Sequence, residues 1–495
     1  MFDEDDAPRI RSYPREVRVE VLSREDEDLI HRRSLDVLER AGVSTTNERV
    51  LKLLAEHGQD VDLDAKRVRF DPAFVEEQLA KAGRTFTLAG REPDLDLVID
   101  GERGYLSTDG CPADVLDLDT KRRRPGTKQD LMDLTRIGDA LSQVGFFWQP
   151  VSANDTPVPV RPIHETHAQL LTTSKHIQQM TAIDGFNAKG ILEMATAIAG
   201  SSEAFAARPF LSNFQCAISP LHWDHGPLDA MELFAKAGMA VGICSMPLAA
   251  ASAPVTMAGT ITMVNAEVLS GIAILETLAP GADAFYVGYP TTIDLQSGAM
   301  NSAWGAEETF SQMANTQMAR RYGLPSTATC MATGSKASDW QAGVQSMLMT
   351  MANMLMPADM LTGVGSLDGD NVFSAVEMLL DAEIYDIALD WANGFRISEE
   401  DIALDVILEV GPGGHFLDSE HTLTNMKEIW RTSLMNRKNW DAWEAAGRPD
   451  PAVAAEAEAR RILAEHHPEP VAPDVAAELQ RIVDAYQAQA VSEAS

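Results

Sequence analysis

Residues 241–289 read VGICSMPLAAASAPVTMAGTITMVNAEVLSGIAILETLAPGADAFYVGY, and the fold prediction starts from this stretch. A short apolar run at 241–246 is followed by a segment that two prolines break, and then by a helix-length stretch at 265–278. A second apolar run follows at 284–289. Short buried strands that alternate with helices are typical of parallel sheets built from βα units.

The same alternation extends over most of the chain. We identify eight candidate strands, at 105–108, 145–150, 176–183, 210–217, 241–246, 284–289, 326–331 and 360–365. Candidate helices between them lie at 128–141, 227–237, 265–278 and 307–321. Eight parallel strands predict an α/β fold of the TIM, or (β/α)8, barrel type.

The segments outside this repeat carry apolar residues at helical spacing. Two of them predict an N-terminal helical cap, at 26–41 and 46–57. Four more predict a helical C-terminal extension, at 374–391, 401–410, 452–466 and 473–487. We therefore predict a cap and lead-in over residues 1–100, a catalytic barrel over 101–373, and an extension packed on the barrel over 374–495.

The charge of the chain excludes several classes of partner. Its 74 acidic and 40 basic residues give a net charge of -34, which repels nucleic acid and anionic lipid surfaces. The four cysteines form no CxxC pair, so a disulfide framework is not expected. The first six residues, MFDEDD, lack the basic and apolar regions of a signal peptide, and we expect a cytoplasmic protein.

One uncharged segment, 237–266, is long enough to cross a membrane. Its prolines, glycines and hydroxyl residues divide it into strand, loop and helix start, so we do not expect it to span one.

In a TIM barrel the active site lies at the carboxyl ends of the strands. The residues that close the predicted strands are therefore the first candidates for a pocket. They are Asp109, Trp148, Asp184, Gln215, Met246, Tyr289, Thr329, Cys330 and Gly363.

Several separated motifs carry a resemblance to a known family. They are GPGGHFL at 411–417, His421-Thr422-Leu423, Arg437, Trp440 and Trp443, LAAASAPVTMAGT at 248–260, Asn265-Ala266-Glu267 and Gln341-Ala342-Gly343. Through them the chain resembles the trimethylamine methyltransferase family from about His31 to Tyr486. The resemblance implies transfer of a methyl group from a methylated amine to the corrinoid of a separate protein.

One departure from the family decides which amine we expect. The archaeal trimethylamine enzymes carry pyrrolysine in the segment that aligns near residues 327–330, where this chain has Thr327, Ala328, Thr329 and Cys330. The resemblance therefore implies the non-pyrrolysine branch, with a small quaternary amine as substrate and glycine betaine favoured. Thr329 and Cys330 are the catalytic candidates in this segment. Carnitine, proline betaine, γ-butyrobetaine and a sulfonium compound stay open.

The expected substrate determines which side chains could hold it. A tetraalkylated nitrogen has no N–H to donate, so aromatic faces are its best partners. The aromatic candidates are Phe147, Trp148, Phe214, Tyr289 and Trp304, each with ordinary core packing as the alternative.

Charged residues could also contribute to such a site. Asp109 or Asp184 could balance the cation, although either could equally cap a helix. Lys336 or His222 could meet the carboxylate of a betaine, and a surface helix is the alternative for Lys336.

Two histidine pairs raise the alternative of a metal. His164 and His167, and likewise His222 and His225, are three residues apart, but neither pair has a clear third ligand nearby in sequence. We therefore predict no metal. We also predict no tightly bound corrinoid, because the chain lacks a DxHxxG pattern.

The corrinoid would then be carried by a partner protein, and we expect a homo-oligomer. Two other functions stay open, namely a non-catalytic betaine-binding or regulatory barrel and a metal-dependent hydrolase or lyase.

Overall fold

The computed structural model describes residues 9–14, 19–301, 305–426 and 432–493. Its centre is a closed ring of eight strands, which we number β1 to β8. They are Arg103–Thr108, Val144–Phe147, His176–Gln179, Leu211–Cys216, Val241–Ser245, Ala284–Gly288, Ser326–Thr329 and Met360–Val364. Each strand pairs in parallel with the next, and β8 pairs with β1 through Met360 and Tyr105. The predicted (β/α)8 barrel is therefore confirmed.

The observed strands begin within two residues of the predicted starts and most end earlier than predicted. β2 ends at Phe147 and β6 at Gly288, so Trp148 and Tyr289 are the first residues beyond their strands. The backbone N–H of Trp148 donates to the Ser107 hydroxyl, not to a neighbouring strand. Side-chain hydrogen bonds thus replace the ladder at this edge of the barrel.

Helices surround the barrel, and those predicted between the strands, at 128–141, 227–237, 265–278 and 307–321, are among them. They are Lys128–Ala140, Arg161–Thr172, Gly185–Ala199, His225–Lys236, Met257–Leu278, Ala306–Tyr322, Trp340–Leu355 and Ala375–Asn393. Helix Met257–Leu278 begins eight residues before the predicted start. It is also the one helix in the described residues that is apolar and long enough to cross a membrane. In this fold 78% of its most apolar window is buried, because the helix packs on β5 and β6.

The N-terminal elements cover two sides of the barrel. Helices Arg24–Arg40 and Glu48–Glu56 confirm the two predicted helices, and Arg24–Arg40 packs on Met257–Leu278. A hairpin of Phe86–Leu88 and Leu97–Ile99 joins the apolar cluster inside the barrel. It closes the end opposite the carboxyl ends of the strands, which we call the floor.

The C-terminal residues lie on the outside of the barrel. Helix Ala375–Asn393 packs beside Trp340–Leu355 and completes the ring, although the predicted division assigned it to the extension. Helix Pro451–Glu465 packs on Ala375–Asn393 and Lys128–Ala140, and helix Pro473–Glu493 packs on Gly185–Ala199 and Arg161–Thr172. The predicted helix at 401–410 is confirmed from Leu404 to Val410, and Ala403, with a left-handed backbone (φ +51°), separates it from the short helix Glu399–Ile402.

Small strands connect the loops at the carboxyl end, which we call the mouth. The hairpin of Asp114–Leu116 and Arg123–Pro125 follows β1 and pairs with Val372–Phe373, which follows β8. The loops of the first and last strands are thereby held together on one side of the mouth.

Candidate active site

An aromatic cluster lies inside the barrel just below the mouth. The rings of Trp148 and Phe214 are 5.1 Å apart and inclined at 45°, and those of Trp148 and Tyr289 are 5.9 Å apart and nearly perpendicular. The indole N–H of Trp148 donates to Gln178 Oε1 at 2.6 Å, which fixes the plane of the ring. The Tyr289 hydroxyl lies 3.3 Å from Thr362 Oγ1. Three rings from different strands therefore converge on one interior space.

A carboxyl group lies beside this cluster. Asp109 directly follows β1, and its Oδ2 is buried without a hydrogen-bond partner in the described part of the chain. Burial, together with the nearby carboxylate of Asp370, raises the pKa of Asp109 well above its usual value. The next residue, Gly110, leaves no room for a side chain, because a Cβ there would stand 2.8 Å from the Trp148 ring. Asp109 and Trp148 are thus neighbours.

A second buried carboxyl lies at the mouth, and we did not predict it from the sequence. Glu165 accepts the Ala153 N–H at 3.0 Å and the Thr181 hydroxyl at 2.8 Å, so it joins the loops after β2 and β3. Burial raises its pKa to about 7. Burial raises the pKa of the Cys111 thiol as well, with the charges of Glu165 and Asp109 as further causes. The mouth therefore holds two buried carboxyl groups, Asp109 and Glu165, whose neutral forms burial favours, and the charge of Arg161 offsets this in part at Glu165.

Residues 327–330 lie at the end of β7. The family resemblance places pyrrolysine in this segment of the archaeal enzymes. Thr329 is half-buried and pairs with Thr362 across the ladder. Cys330 points the other way, with its Sγ 3.3 Å from the Thr362 carbonyl and its side chain in the apolar layer between sheet and helices. Burial raises the pKa of this thiol, so it stays protonated. Neither side chain is an electrophile.

Comparison with known proteins identifies the family. The model of the trimethylamine methyltransferase (MTTB) family matches residues 4–490. The chain belongs to this family.

Two relatives have similar levels of identity and different names. The trimethylamine methyltransferase MttB of Desulfitobacterium hafniense (strain DSM 10664 / DCB-2) is 32% identical over 462 residues, which cover 93% of this chain and 92% of the relative. The glycine betaine methyltransferase of Desulfitobacterium hafniense (strain Y51) is 31% identical over 471 residues, which cover 94% and 96%. This family member is accordingly a methyltransferase. The two sequence identities are too similar to decide between trimethylamine and glycine betaine as its substrate.

Among solved structures, the hydroxylamine complex of MtmB is similar with a TM-score of 0.48 and 12% identity over 90% of this chain and 88% of that one. The barrel assignment rests on the strand pairing described above.

Not every residue that the sequence nominated lies in the aromatic cluster of this methyltransferase. Phe147 faces outward, with a ring carbon 2.7 Å from where a Cβ on Gly138 would stand, so it packs between the sheet and a helix. Asp184 caps helix Gly185–Ala199, and Asn187 donates to both of its carboxylate oxygens. The capping alternative therefore accounts for Asp184.

The remaining nominated residues lie at the edges of the site or beyond it. The Gln215 side-chain amide donates to the Ala182 carbonyl and to Asn213 Oδ1. These bonds hold the Gln215 side chain against its neighbours in the barrel wall and not in the aromatic cluster. Lys336 is exposed and pairs with Asp368 at 3.0 Å. Met246 is exposed beyond β5. Gly363, with φ +118°, lets β8 pass close to the backbone of Met331 and Ala332. Trp304 lies outside the described residues.

The histidine pairs of this methyltransferase make other contacts. Lys128 Nζ lies 3.4 Å from His164 Nδ1 and 3.1 Å from His167 Nδ1, and burial lowers the pKa of His167 to about 4. His222 Nδ1 lies 2.8 Å from the Ser44 hydroxyl. Within the residues that the structure describes, no three His, Cys, Asp or Glu side chains are grouped to hold a metal ion.

Proposed function

We propose that this methyltransferase takes a methyl group from a small quaternary amine, with glycine betaine favoured, and passes it to the cob(I)alamin of a separate corrinoid protein. The observation that carries the proposal is the aromatic cluster of Trp148, Phe214 and Tyr289 beside the buried carboxyl of Asp109, whose Oδ2 has no partner among the described residues. A cation without N–H groups is attracted by ring faces, at about 0.5–2 kcal/mol for each contact.

The carboxyl groups at the mouth fit a cationic ligand. Without a ligand, burial keeps Asp109 protonated at pH values where a free aspartate is ionised. A cation placed beside it favours the carboxylate, so binding should release a proton and strengthen as pH rises. Glu165 holds the loops after β2 and β3 around the same space.

The chemistry at residues 327–330 also favours a quaternary amine. When the methyl group leaves a nitrogen that already carries a positive charge, the bonding electrons stay on nitrogen and a neutral amine departs. A neutral tertiary amine would need an acid or electrophile, and Thr329 and Cys330 supply neither. The barrel then works mainly by holding the methyl group in line with the acceptor, a positioning effect. In this arrangement Thr329 borders the ligand space, and Cys330 supports it from outside.

The rim of the mouth suits docking of the protein that carries the acceptor. The corrinoid cofactor supplies the nucleophilic Co(I) when that protein is bound. Exposed apolar side chains stand on the loops after β3, β4 and β5, namely Ile183, Ile218, Met246 and Val255. We further propose that the protein is cytoplasmic and homo-oligomeric.

The decisive test is methylation of cob(I)alamin by the purified protein, followed by the spectral change to methyl-Co(III). We expect turnover with glycine betaine or a related quaternary amine, and none with trimethylamine, dimethylamine or monomethylamine. Turnover with trimethylamine but with no betaine would overturn the substrate class. Tight betaine binding without methyl transfer would favour a binding or regulatory barrel.

The variant Asp109→Asn tests the site itself. We expect it to bind the amine several-fold more weakly at pH 8 and to lose the increase of affinity with pH. Asp184→Asn, at the helix cap, is the matched control and should keep the wild-type pH profile. An unchanged profile in Asp109→Asn would remove Asp109 from the site.

A further inference from the structure

The segment 394–450, which we call the arm, is unlike the rest of the fold. It lies between the last barrel helix and helix Pro451–Glu465, and it contains the GPGGHFL motif at 411–417. The structure describes residues 394–426 and 432–450 of the arm, and none of them is buried. Its short helices contribute no residue to the core. Near its end the Ser433 N–H and hydroxyl hold the arm to Glu383 of the barrel.

The arm nevertheless carries many large apolar side chains. Phe395 is 86% exposed and Leu417 is 82% exposed. The other exposed apolar residues of its first part are Ile397, Ile402, Leu404, Ile407, Leu408, Phe416, Leu423 and Met426. Together they present roughly 1,000 Å², which is about one partner's share of a standard protein interface. Apolar surface of this extent marks an interaction site.

A second uncovered surface lies on helix Trp340–Leu355. Its sequence, WQAGVQSMLMTMANML, contains no charged residue in a chain of which 23% is charged. Trp340, Val344 and Leu348 are spaced by four residues along one face and are 81%, 45% and 46% exposed. We call them the uncharged face. A helix without charges on its outer side is typical of one that another surface covers.

We propose that the arm of one copy of this protein packs on the uncharged face of a second copy. An arm without buried residues needs a permanent partner to hold it, because ordering a chain costs conformational entropy that burial must offset. A corrinoid protein that leaves after each transfer does not meet that need. The proposal is independent of the proposed substrate.

Charge decides which surface of the second copy the arm can meet. The described residues 394–426 contain seven acidic side chains and one basic one, and each chain carries a net charge of -34. Most of the surface of a second copy repels such an arm. The uncharged face does not. In a two-fold dimer the contact between arm and uncharged face occurs twice, which doubles the area that one contact covers.

Sedimentation of the full-length protein tests the association. We expect the wild type to sediment as a dimer or a larger assembly of its 53.8 kDa chain at micromolar concentration. Leu408→Glu with Leu417→Glu in the arm, and separately Val344→Glu with Leu348→Glu on the uncharged face, should each shift the protein to the monomer. Leu63→Glu, an exposed leucine in a turn of the N-terminal cap, is the matched control and should keep the wild-type mass. A monomeric wild type, or an arm variant that keeps its assembly, would overturn the proposal.

Cross-linking shows which surfaces of the two copies touch, and it does not require a variant that disrupts the assembly. Leu417→Cys and Val344→Cys are prepared separately, mixed and exposed to a mild oxidant, with the wild type and its four native cysteines as the blank. A cross-linked dimer that forms at least tenfold more in the mixture than in either variant alone supports contact between arm and uncharged face. Cross-linking that is equally strong within Leu417→Cys alone means that arms meet arms, and within Val344→Cys alone that faces meet faces. Either result contradicts the proposed contact.

Discussion

The floor end and the mouth end of the barrel differ in how their buried polar groups are satisfied. At the floor, Lys175 Nζ donates to the carbonyls of Gly138, Leu141 and Val144 at 2.7–3.1 Å, and His176 has a partner for each ring nitrogen, Ala89 O and Ser212 Oγ. At the mouth, Asp109 Oδ2 and Glu377 Oε2 are buried without partners among the described residues. Buried polar atoms without partners are rare and cost stability.

The difference distinguishes polar groups that stabilise the fold from polar groups that are left for a ligand. At the floor, Lys175 and His176 satisfy their polar groups within the chain, so these two residues stabilise the protein without a ligand. The mouth keeps two buried carboxyl oxygens without a partner among the described residues. Three measurements test this difference between the floor and the mouth.

The largest effect is expected at the floor. Lys175→Met removes three hydrogen bonds from a buried ammonium, and hydrogen bonds to charged groups contribute about 1.5–3 kcal/mol each. We expect the free energy of unfolding to fall by ~3 kcal/mol or more in urea denaturation. Lys189→Met, on the exposed side of helix Gly185–Ala199, is the control and should change little. A loss below ~1 kcal/mol in Lys175→Met would show that the floor does not depend on this network.

A smaller, pH-dependent effect is expected near the mouth. Burial raises the pKa of Glu377 from 4.5 to about 7, so the folded protein keeps this group neutral while the unfolded chain ionises it. The stability that the neutral group contributes is complete below pH 4.5 and is lost as pH rises to about 7. Glu377→Gln should therefore gain about 2–3 kcal/mol over the wild type at pH 8 and almost nothing at pH 4.5.

Thermal or urea unfolding at the two pH values measures that difference. The exposed Glu56→Gln, in helix Glu48–Glu56, is the control, for which the gain in the free energy of unfolding should be absent at both pH values. At the floor the pH dependence of stability has the opposite sign. Burial lowers the pKa of His176 to about 3, so the stability that the neutral imidazole contributes is lost as pH falls below 6.5. A gain for Glu377→Gln that is equal at pH 4.5 and pH 8 would contradict the assignment of a neutral buried carboxyl.

The smallest effect compares two aromatic residues of the same interior. Trp148→Leu should weaken binding of glycine betaine about tenfold, or ~1.4 kcal/mol, because one ring face is lost. Phe86→Leu, at the floor, should lower the free energy of unfolding and leave the dissociation constant unchanged. Calorimetry with circular dichroism separates the two properties. Equal loss of affinity in both variants would mean that loss of any interior ring weakens binding and that Trp148 has no specific role in it.

The sequence predicted the barrel and part of the site for identifiable reasons. Each strand is a short apolar run bounded by breakers, so all eight were found, and Trp148 and Tyr289 followed from their positions at the strand ends. The direction of neighbouring side chains could not be predicted, because the run 145–150 has no alternation to distinguish Phe147 from Trp148. In the same way, the run 326–331 does not distinguish Thr329 from Cys330 by the direction of their side chains.

Long-range partners were equally out of reach. Asp368, for example, pairs with Lys336 across two loops. Glu165 lies between two histidines that drew attention to a metal, and only the fold places its carboxyl between the loops after β2 and β3. Which of several plausible polar residues faces the ligand is a property of the packing.

The pairing of β1 with β8 also governs how the protein is made. The two strands that close the ring are separated by about 250 residues of chain. At about 5–20 residues per second, a ribosome needs roughly 10–50 s to deliver β8 after β1 has emerged. During that time the nascent sheet has two open edges, each a template for pairing with other chains. Chains that stall before residue 360 are therefore expected to be the form of this protein that most needs chaperones.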